Sequence, residues 1–514
     1  MGAAIRIDRL GAGLTTILVL AWFACTAWAR ALMLPDEGRY VGVAWEMLRS
    51  GDWLTPTLNG LPYFHKPPLF YWITAGALEL LGHHEFAARV APILGATLGA
   101  MALFLFLRRW ASARTARATL VVLLVQPLWF LGGQFANLDM LVAGCITATI
   151  VLLAHAALSA EQGQPHRGAL AAAYAVAAAG VLSKGLIGFV LPAMAIFFWL
   201  LLARRWRLLP RLLWWPGFVI FLALVAPWFV AMQQRFPEFL NYFFVVQQFD
   251  RFATGGFNNP QPFWFYPAVL AIFFLPWLPW LVRSFKLRYL SADAQWAVRL
   301  LMLVWPVAIV LFFSIPRSKL LGYVLPAVPP LAFLVAEGYL RGVAVARKSR
   351  RLWSLSAGLV AALVIGIVAW LAVLQANSTR SFGAALSAQR AASEPIYMLE
   401  RYYFDLPFYA RLVAPVGVVD DWSDPETTRR DGPAKELSDA GSFDQTLAAA
   451  VLVDSAALPK RLCSAPVAWV IGRASDADKY PFLSSAATVH TRDDKNLWRV
   501  DTQAAALRSA LGCS

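Results

Sequence analysis

The chain has 514 residues, 59% of them apolar, with 22 Trp, 34 Phe and a mean hydropathy of +0.57. That composition excludes a soluble globular protein and points to a chain that crosses a membrane many times. The formal net charge of +15 needs no nucleic-acid partner, because Lys and Arg gather in short loops between apolar runs, where they anchor membrane proteins and attract anionic lipid.

Runs of about twenty apolar residues, the length that spans a bilayer, recur from the N-terminus to residue 376 and then stop. Eleven spans are expected, at about 11–34, 84–107, 115–134, 137–158, 167–183, 185–203, 212–232, 262–282, 297–314, 319–340 and 351–375. A cleavable signal peptide with Ala27-Trp28-Ala29 as its cleavage site is the competing reading of the first run; the ten spans that follow favour an uncleaved helix. Four loops hold most of the basic residues: Arg108/Arg109/Arg114/Arg117, Arg204/Arg205/Arg207/Arg211, Arg283/Lys286/Arg288 and Arg341/Arg347/Lys348/Arg350/Arg351. With eleven spans all four fall on the side of the N-terminus, which carries Arg6 and Arg9, and this is the pattern of a cytoplasmic face. The opposite face, the periplasm in a bacterium, then holds the loop 35–83, the loop 235–262 and everything after 376.

The first outer loop contains two amphipathic runs, 37–51 and 67–82, too short to cross and expected to lie in the interface. Residues 385–514 are polar enough for a small α/β domain, with strand-like runs at 396–399, 413–420, 466–473 and 487–492 and a helix-like run at 442–452. The fold expected is a polytopic α-helical membrane domain, 1–376, followed by that soluble domain. Cys25 and Cys145 lie in spans, whereas Cys463 and Cys513 are the pair in the tail, where an oxidising compartment permits a disulfide.

Ionisable residues from distant parts of the chain share the outer membrane level: Asp36, Glu37, Arg39, Glu46, His65, Lys66, Glu79, Asp139, Lys184, Arg235, Asp250, Arg251, Arg317 and Lys319. Polar groups recurring at one depth mark a site inside a bundle. Asp36 and Asp139 would suit a base and a positioning group, with helix capping as the competing role for each. Lys66, Arg251 and Lys319 could together hold a phosphate, with snorkelling to lipid headgroups as the competing role, most of all for Lys184. There is no Walker A sequence, no GxGxxG and no zinc-type Cys/His cluster, and the one D-x-D is Asp476-Ala-Asp478 in the tail. A periplasmic enzyme has no nucleotide pool, so an activated sugar would have to arrive on a lipid carrier.

The segments "PDEGRYVGVAWEMLRSGDWLTPTLNGLPYFHKPPLFYWITA", "EFAARVAPILGA", "ANLDML", "LSKGLIGFVLPA", "NYFFVVQQFDRF" and "SKLLGYVLPAVPPLA" occur in that order between about 30 and 340. Together they resemble the bacterial 4-amino-4-deoxy-L-arabinose (aminoarabinose) lipid A transferases, members of the protein-mannosyltransferase-like GT-C glycosyltransferases; "YYFDLPFYA" at 402–410 resembles the start of that family's periplasmic domain. The resemblance implies transfer of a sugar from undecaprenyl phosphate, another polyprenyl phosphate lipid being the same chemistry, to an acceptor at the outer face of the inner membrane. Asp36 matches the family's proposed catalytic carboxylate and Asp139 its second acid. Lys66 and Arg251 match its phosphate-contacting pair; Arg39 and Tyr63, in matching motif positions nearby, and Lys319 join them in the donor-phosphate set. Glu37, His65, Lys184 and Gln248 are the candidates for further substrate contact. The aminoarabinose enzymes read "DETRY", "YFEKP" and "VEHIQRF" where this chain has "DEGRY", "YFHKPP" and "VQQFDRF", so His65 replaces a glutamate and Gln248 a histidine. The sugar, the acceptor (lipid A or another envelope glycolipid, core, O-antigen or protein) and metal dependence therefore stay open. A lipid-linked sugar flippase and an envelope scaffold are the readings from other classes.

Overall fold

The computed structural model describes residues 11–250, 259–286, 293–342, 347–375, 377–429 and 432–513. The chain divides into two compact units, each discontinuous in sequence: one takes residues 1–30 and 65–374, the other 31–64 and 375–514.

The first unit is helical, and helix occupies every one of the eleven expected spans. Among the described residues six helices are long and apolar enough to cross a membrane: Val90–Trp110, Leu138–Glu161, Trp215–Arg235, Trp296–Ser314, Leu321–Arg341 and Ser349–Leu374. A seventh is added if Phe265–Phe273 and Leu275–Ser284, bent by 63°, form one span. Two of the remaining spans are shorter or broken for identifiable reasons. Helix Ala12–Ala24 stops well before residue 34, because the fully buried Arg89 guanidinium donates to the carbonyls of Ala27 (2.6 Å) and Arg30 (2.9 Å) and satisfies backbone that leaves the helix. Span 115–134 divides into Ala113–Val125 and Pro127–Gly132: Pro127 has no N–H to continue the ladder, and Gln126 accepts the Trp129 N–H at 3.0 Å to cap the second piece. A cluster of buried apolar side chains, with Trp129, Trp199, Trp277 and Trp305 fully enclosed, holds most of these helices together.

The second unit is α/β. Strands β1 (Thr57–Leu58) and β2 (Leu61–Pro62) form a small hairpin. Strands β3 (Ile396–Leu399), β4 (Gly417–Asp420), β5 (Leu452–Asp454), β6 (Val467–Arg473), β7 (Ala487–Arg492) and β8 (Lys495–Asp501) form one sheet in the order β5-β4-β3-β6-β8-β7. The β5-β4-β3-β6 part is parallel and β8 and β7 join antiparallel. The expected strand 413–420 is shortened to β4, since Pro415 cannot donate to a ladder. Strands β5 and β8 were not among the expected runs: β5 is three residues long and directly follows helix Gln445–Val451. Leu399, Val419, Val453, Val470 and Trp498 bury one face of the sheet against helices Leu458–Cys463 and Ala505–Leu511, and a disulfide joins Cys463 to Cys513.

Residues 31–64 belong to this unit through specific bonds. Asn59 exchanges two hydrogen bonds with the Val416 backbone (2.8 and 2.9 Å), and Trp45 Nε1 donates to Leu412 O at 3.0 Å. Helix Asp36–Ser50 turns Gly38 and Gly42, one helical turn apart, toward residues 404–405; a Cβ on Gly38 would meet Asp405 N at 2.7 Å, and one on Gly42 would meet Phe404 O at 3.1 Å.

Candidate active site

Within the second unit, Asp36 opens helix Asp36–Ser50 but does not cap it; Pro35 occupies that position and the fully buried Glu37 accepts the Met33 N–H at 3.0 Å. Both acids sit in the first turn, where the helix dipole favours negative charge. One turn on, Arg39 reaches back to Asp36 through Nη2 and outward to Glu436 through Nη1, forming ion pairs with both. Tyr63 OH donates to the other oxygen of Glu436 at 3.2 Å, and the rings of Tyr40 and Phe404 lie 5.0 and 5.7 Å from the guanidinium carbon. Burial works against the Arg39 charge, yet Glu436 first, then Tyr40, Tyr63 and Asp36, outweigh it and hold the guanidinium firmly protonated. Asp36 is the accessible member of the cluster, 31% exposed against 11% for Glu436.

Glu436 was not foreseen. It lies on the short helix Pro433–Gly441 in a tail rich in acids, and no local pattern separates it from neighbours such as Asp439, which pairs with Lys435. Glu46, also in the first outer loop, is a structural carboxylate: it accepts Thr57 Oγ1, Asn59 N and Gly60 N at 2.7–2.9 Å and so shapes the β1–β2 hairpin, with burial pushing its pKa up. Asp405 is fully buried and accepts Ser378 Oγ, Thr379 N and Thr379 Oγ1 at 2.7–2.9 Å; burial raises its pKa to about 6 against the pull of those donors.

Within the first unit, Asp139 and Lys184 form an ion pair between helices Leu138–Glu161 and Arg167–Lys184. Here too capping falls to a neighbour, because Asn137 accepts the Asp139 N–H at 2.8 Å and leaves the carboxylate to the lysine. The Lys184 ammonium stands 4.5 Å from the centre of the Tyr323 ring, and Gly322 lies so near that a Cβ would collide with the Asp139 carboxylate. Asp139, Lys184, Gly322 and Tyr323 line one side of a small cavity completed by apolar residues including Ile187 and Phe313. Lys184 is therefore an ion-paired lysine in a cavity wall, 13% exposed.

Lys66 follows β2 and donates to the His65 carbonyl at 2.9 Å, while the His65 ring, largely buried, lies 6.0 Å from that of Tyr242. The buried Lys319 donates to the carbonyls of Gln261 and Pro316, where residues 259–261 run beside 317–319. Gln248 falls in the π-helical segment Asn241–Asp250, but its side chain and the whole of Arg251 lie outside the described residues. The structure thus groups Asp36, Arg39 and Tyr63 around Glu436 in one unit, and Asp139 and Lys184 against Tyr323 in the other. Among the described residues no three His, Cys, Asp or Glu side chains are arranged to hold a metal ion.

A model of the dolichyl-phosphate-mannose-protein mannosyltransferase family matches residues 65–230. The undecaprenyl phosphate-alpha-4-amino-4-deoxy-L-arabinose arabinosyl transferase of Erwinia tasmaniensis is 34% identical over 347 residues, 67% of this chain and 61% of that protein. A protein of the same description from Sodalis glossinidius is 35% identical over 336 residues, 63% of this chain and 59% of that protein. The match thus spans less than two thirds of either relative. The crystal structure of ArnT from Cupriavidus metallidurans bound to undecaprenyl phosphate superposes with a TM-score of 0.79 at 26% identity, covering 96% of this chain and 98% of that one. The archaeal oligosaccharyltransferase AglB from Archaeoglobus fulgidus, at 13% identity and a TM-score of 0.52 over 91% of this chain, shares the fold alone.

Proposed function

This chain belongs to the aminoarabinose transferase family of GT-C membrane proteins, and on that premise we propose that it transfers a sugar from a polyprenyl phosphate carrier to an acceptor at the periplasmic face of the bacterial inner membrane. The supporting observation is the state of the "DEGRY" motif: Asp36 is oriented by Arg39, which Glu436 and Tyr63 in turn hold. Such an arrangement pre-positions a carboxylate, and positioning of a reacting group is a large part of enzymatic rate enhancement.

The step is a single displacement at the anomeric carbon. The bond from that carbon to the phosphate oxygen breaks, the polyprenyl phosphate leaves with the electron pair, and an acceptor oxygen forms the new bond. Where the acceptor is a hydroxyl, Asp36 takes its proton as general base; where it is a phosphate, already a nucleophile, Asp36 orients it. Lys66 and Arg251 stabilise the charge that grows on the departing phosphate, and Asp139, held by Lys184, is the second acid. Arg39 and Tyr63 serve the site by holding its geometry.

The first sugar to test is 4-amino-4-deoxy-L-arabinose and the first acceptor lipid A, because the relatives are named for that donor. His65 and Gln248, standing where the family carries glutamate and histidine, favour a second reading in which another sugar is moved to lipid A, core, O-antigen or protein. Mass spectrometry of lipid A and core from cells expressing the chain or its Asp36→Asn form tests both. An added aminopentose that disappears in the variant supports the first reading, and a different added sugar with the same dependence supports the second. Failure of the purified protein to transfer any polyprenyl-phosphate-linked sugar would overturn the proposal and return the flippase reading.

A further inference from the structure

In the first unit a second, larger cavity opens among Thr149, Leu153, Tyr174, Ala193, Ile196 and Leu212. Its walls are almost wholly apolar. The Tyr174 hydroxyl donates to Leu212 O at 2.9 Å and its ring packs 5.0 Å from that of Phe218, so the cavity has a fixed wall.

The cavity lies toward the end of the bundle remote from Asp139. Asp139 begins helix Leu138–Glu161, whereas the Leu209–Leu213 rim is tied to the other end of that helix by Arg211 Nη1 on Ala160 O (3.2 Å) and by Arg205 on Glu161 (3.2 Å). A helix of that length separates its ends by about 35 Å. The same rim carries Arg204, Arg207 and Arg211, all exposed, and Arg167 begins the adjoining helix. Trp206 and Trp215, 61% and 73% exposed, flank the rim. Arginines with tryptophans at one level mark the membrane–water interface, and basic pockets between membrane helices accept anionic lipid headgroups.

We infer that this cavity is a binding site for an anionic phospholipid, one acyl chain entering beneath Tyr174 and the phosphate meeting Arg207 and Arg211. An apolar cavity with exposed arginines on the segment that forms its rim matches both ends of that molecule, and neither end matches a soluble metabolite. The site is separate from Asp139 and Lys184 and does not rest on the proposed function.

The test uses the full chain in detergent, titrated with palmitoyl-oleoyl phosphatidylglycerol or with phosphatidylcholine of the same chains, and read by native mass spectrometry and thermal shift. Phosphatidylglycerol should be retained and raise the Tm where phosphatidylcholine does not. Arg207→Gln with Arg211→Gln should weaken its binding about tenfold or more. Ala193→Phe, which fills the mouth at an exposed position, should abolish the phosphatidylglycerol-specific shift while leaving the circular dichroism spectrum unchanged. Equal retention of the two lipids, or undiminished phosphatidylglycerol binding by both variants, would overturn the inference. So would displacement of phosphatidylglycerol by undecaprenyl phosphate in a manner lost in Ala193→Phe, which would assign the cavity to the carrier tail.

Discussion

Arg39 and Glu436 stand 397 residues apart in the chain and form a direct ion pair in which both side chains are largely buried, 16% and 11% exposed. Since Arg39 also grips Asp36, the orientation of the first-loop carboxylate depends on a residue of the C-terminal part of the same unit. Glu436→Gln should cut the transfer rate at least tenfold through kcat, with little change in donor KM, because the donor phosphate is assigned to other residues. Glu436→Asp should recover much of it. Breaking a buried pair from one side costs about 3–5 kcal/mol, so Arg39→Met with Glu436→Met should lower the Tm less than the single changes combined; strict additivity in that cycle would sink the coupling.

The Asp139–Lys184 pair should show its own coupling. Lys184→Met leaves the carboxylate without its ammonium and is expected to destabilise by about 3 kcal/mol. Adding Asp139→Asn should restore part of that loss while lowering transfer further. Thermal unfolding and a transfer assay on the two single variants and the double variant decide it.

Gly38 is expected to resist any larger residue. Threonine in that place would drive its Cβ into Asp405 N, 2.7 Å away on backbone that cannot swing aside. Gly38→Thr should therefore cost about 1–3 kcal/mol, the usual cost of overpacking, and lower both Tm and activity. A variant as stable as the parent would show that residues 404–405 can retreat.

Asp405 makes stability depend on pH. Its folded-state pKa of about 6 exceeds the ordinary 3.8, so the folded form binds this proton more tightly than the unfolded form does. The resulting stabilisation, about 3 kcal/mol, is fully present below the unfolded value and is lost as pH rises through the folded one. Between pH 4 and 6 the Tm of the parent should fall relative to that of Asp405→Asn, and parallel curves for the two proteins would contradict it.

Cysteines 463 and 513 close a loop with a sequence separation of 50. Replacing both by serine should lower stability by about 2–4 kcal/mol, chiefly by freeing the unfolded chain. Transfer at temperatures well below the Tm should be unaffected, since both residues pack against the core of the sheet and not the Asp36 cluster. Loss of activity in a folded variant would give the bridge a role in the site.

Hydropathy and charge alone were enough to read a membrane-crossing helical part and a C-terminal α/β part and to single out Asp36 and Asp139 as candidates, because solvation energy acts residue by residue and leaves its mark locally. Helix breaks were not read from the sequence: Pro127 divides an expected span, and the Arg89 guanidinium that ends the first helix reaches it from 59 to 62 residues away. Strand β5 was hidden because three residues carry no periodicity, and its place in the sheet comes from pairing with β4.

The roles of single polar groups needed the folded chain. Both aspartates sit where a cap was plausible, yet Asn137 caps one helix and Pro35 stands at the cap position of the other, and each carboxylate forms an ion pair. Glu436 has no local signature, and Gly38 shows its purpose only where residues 404–405 press against it. Burial preference is a property of each side chain and is written along the chain; an ion pair or a close approach is a property of two positions, and exists only once tertiary packing has brought them together.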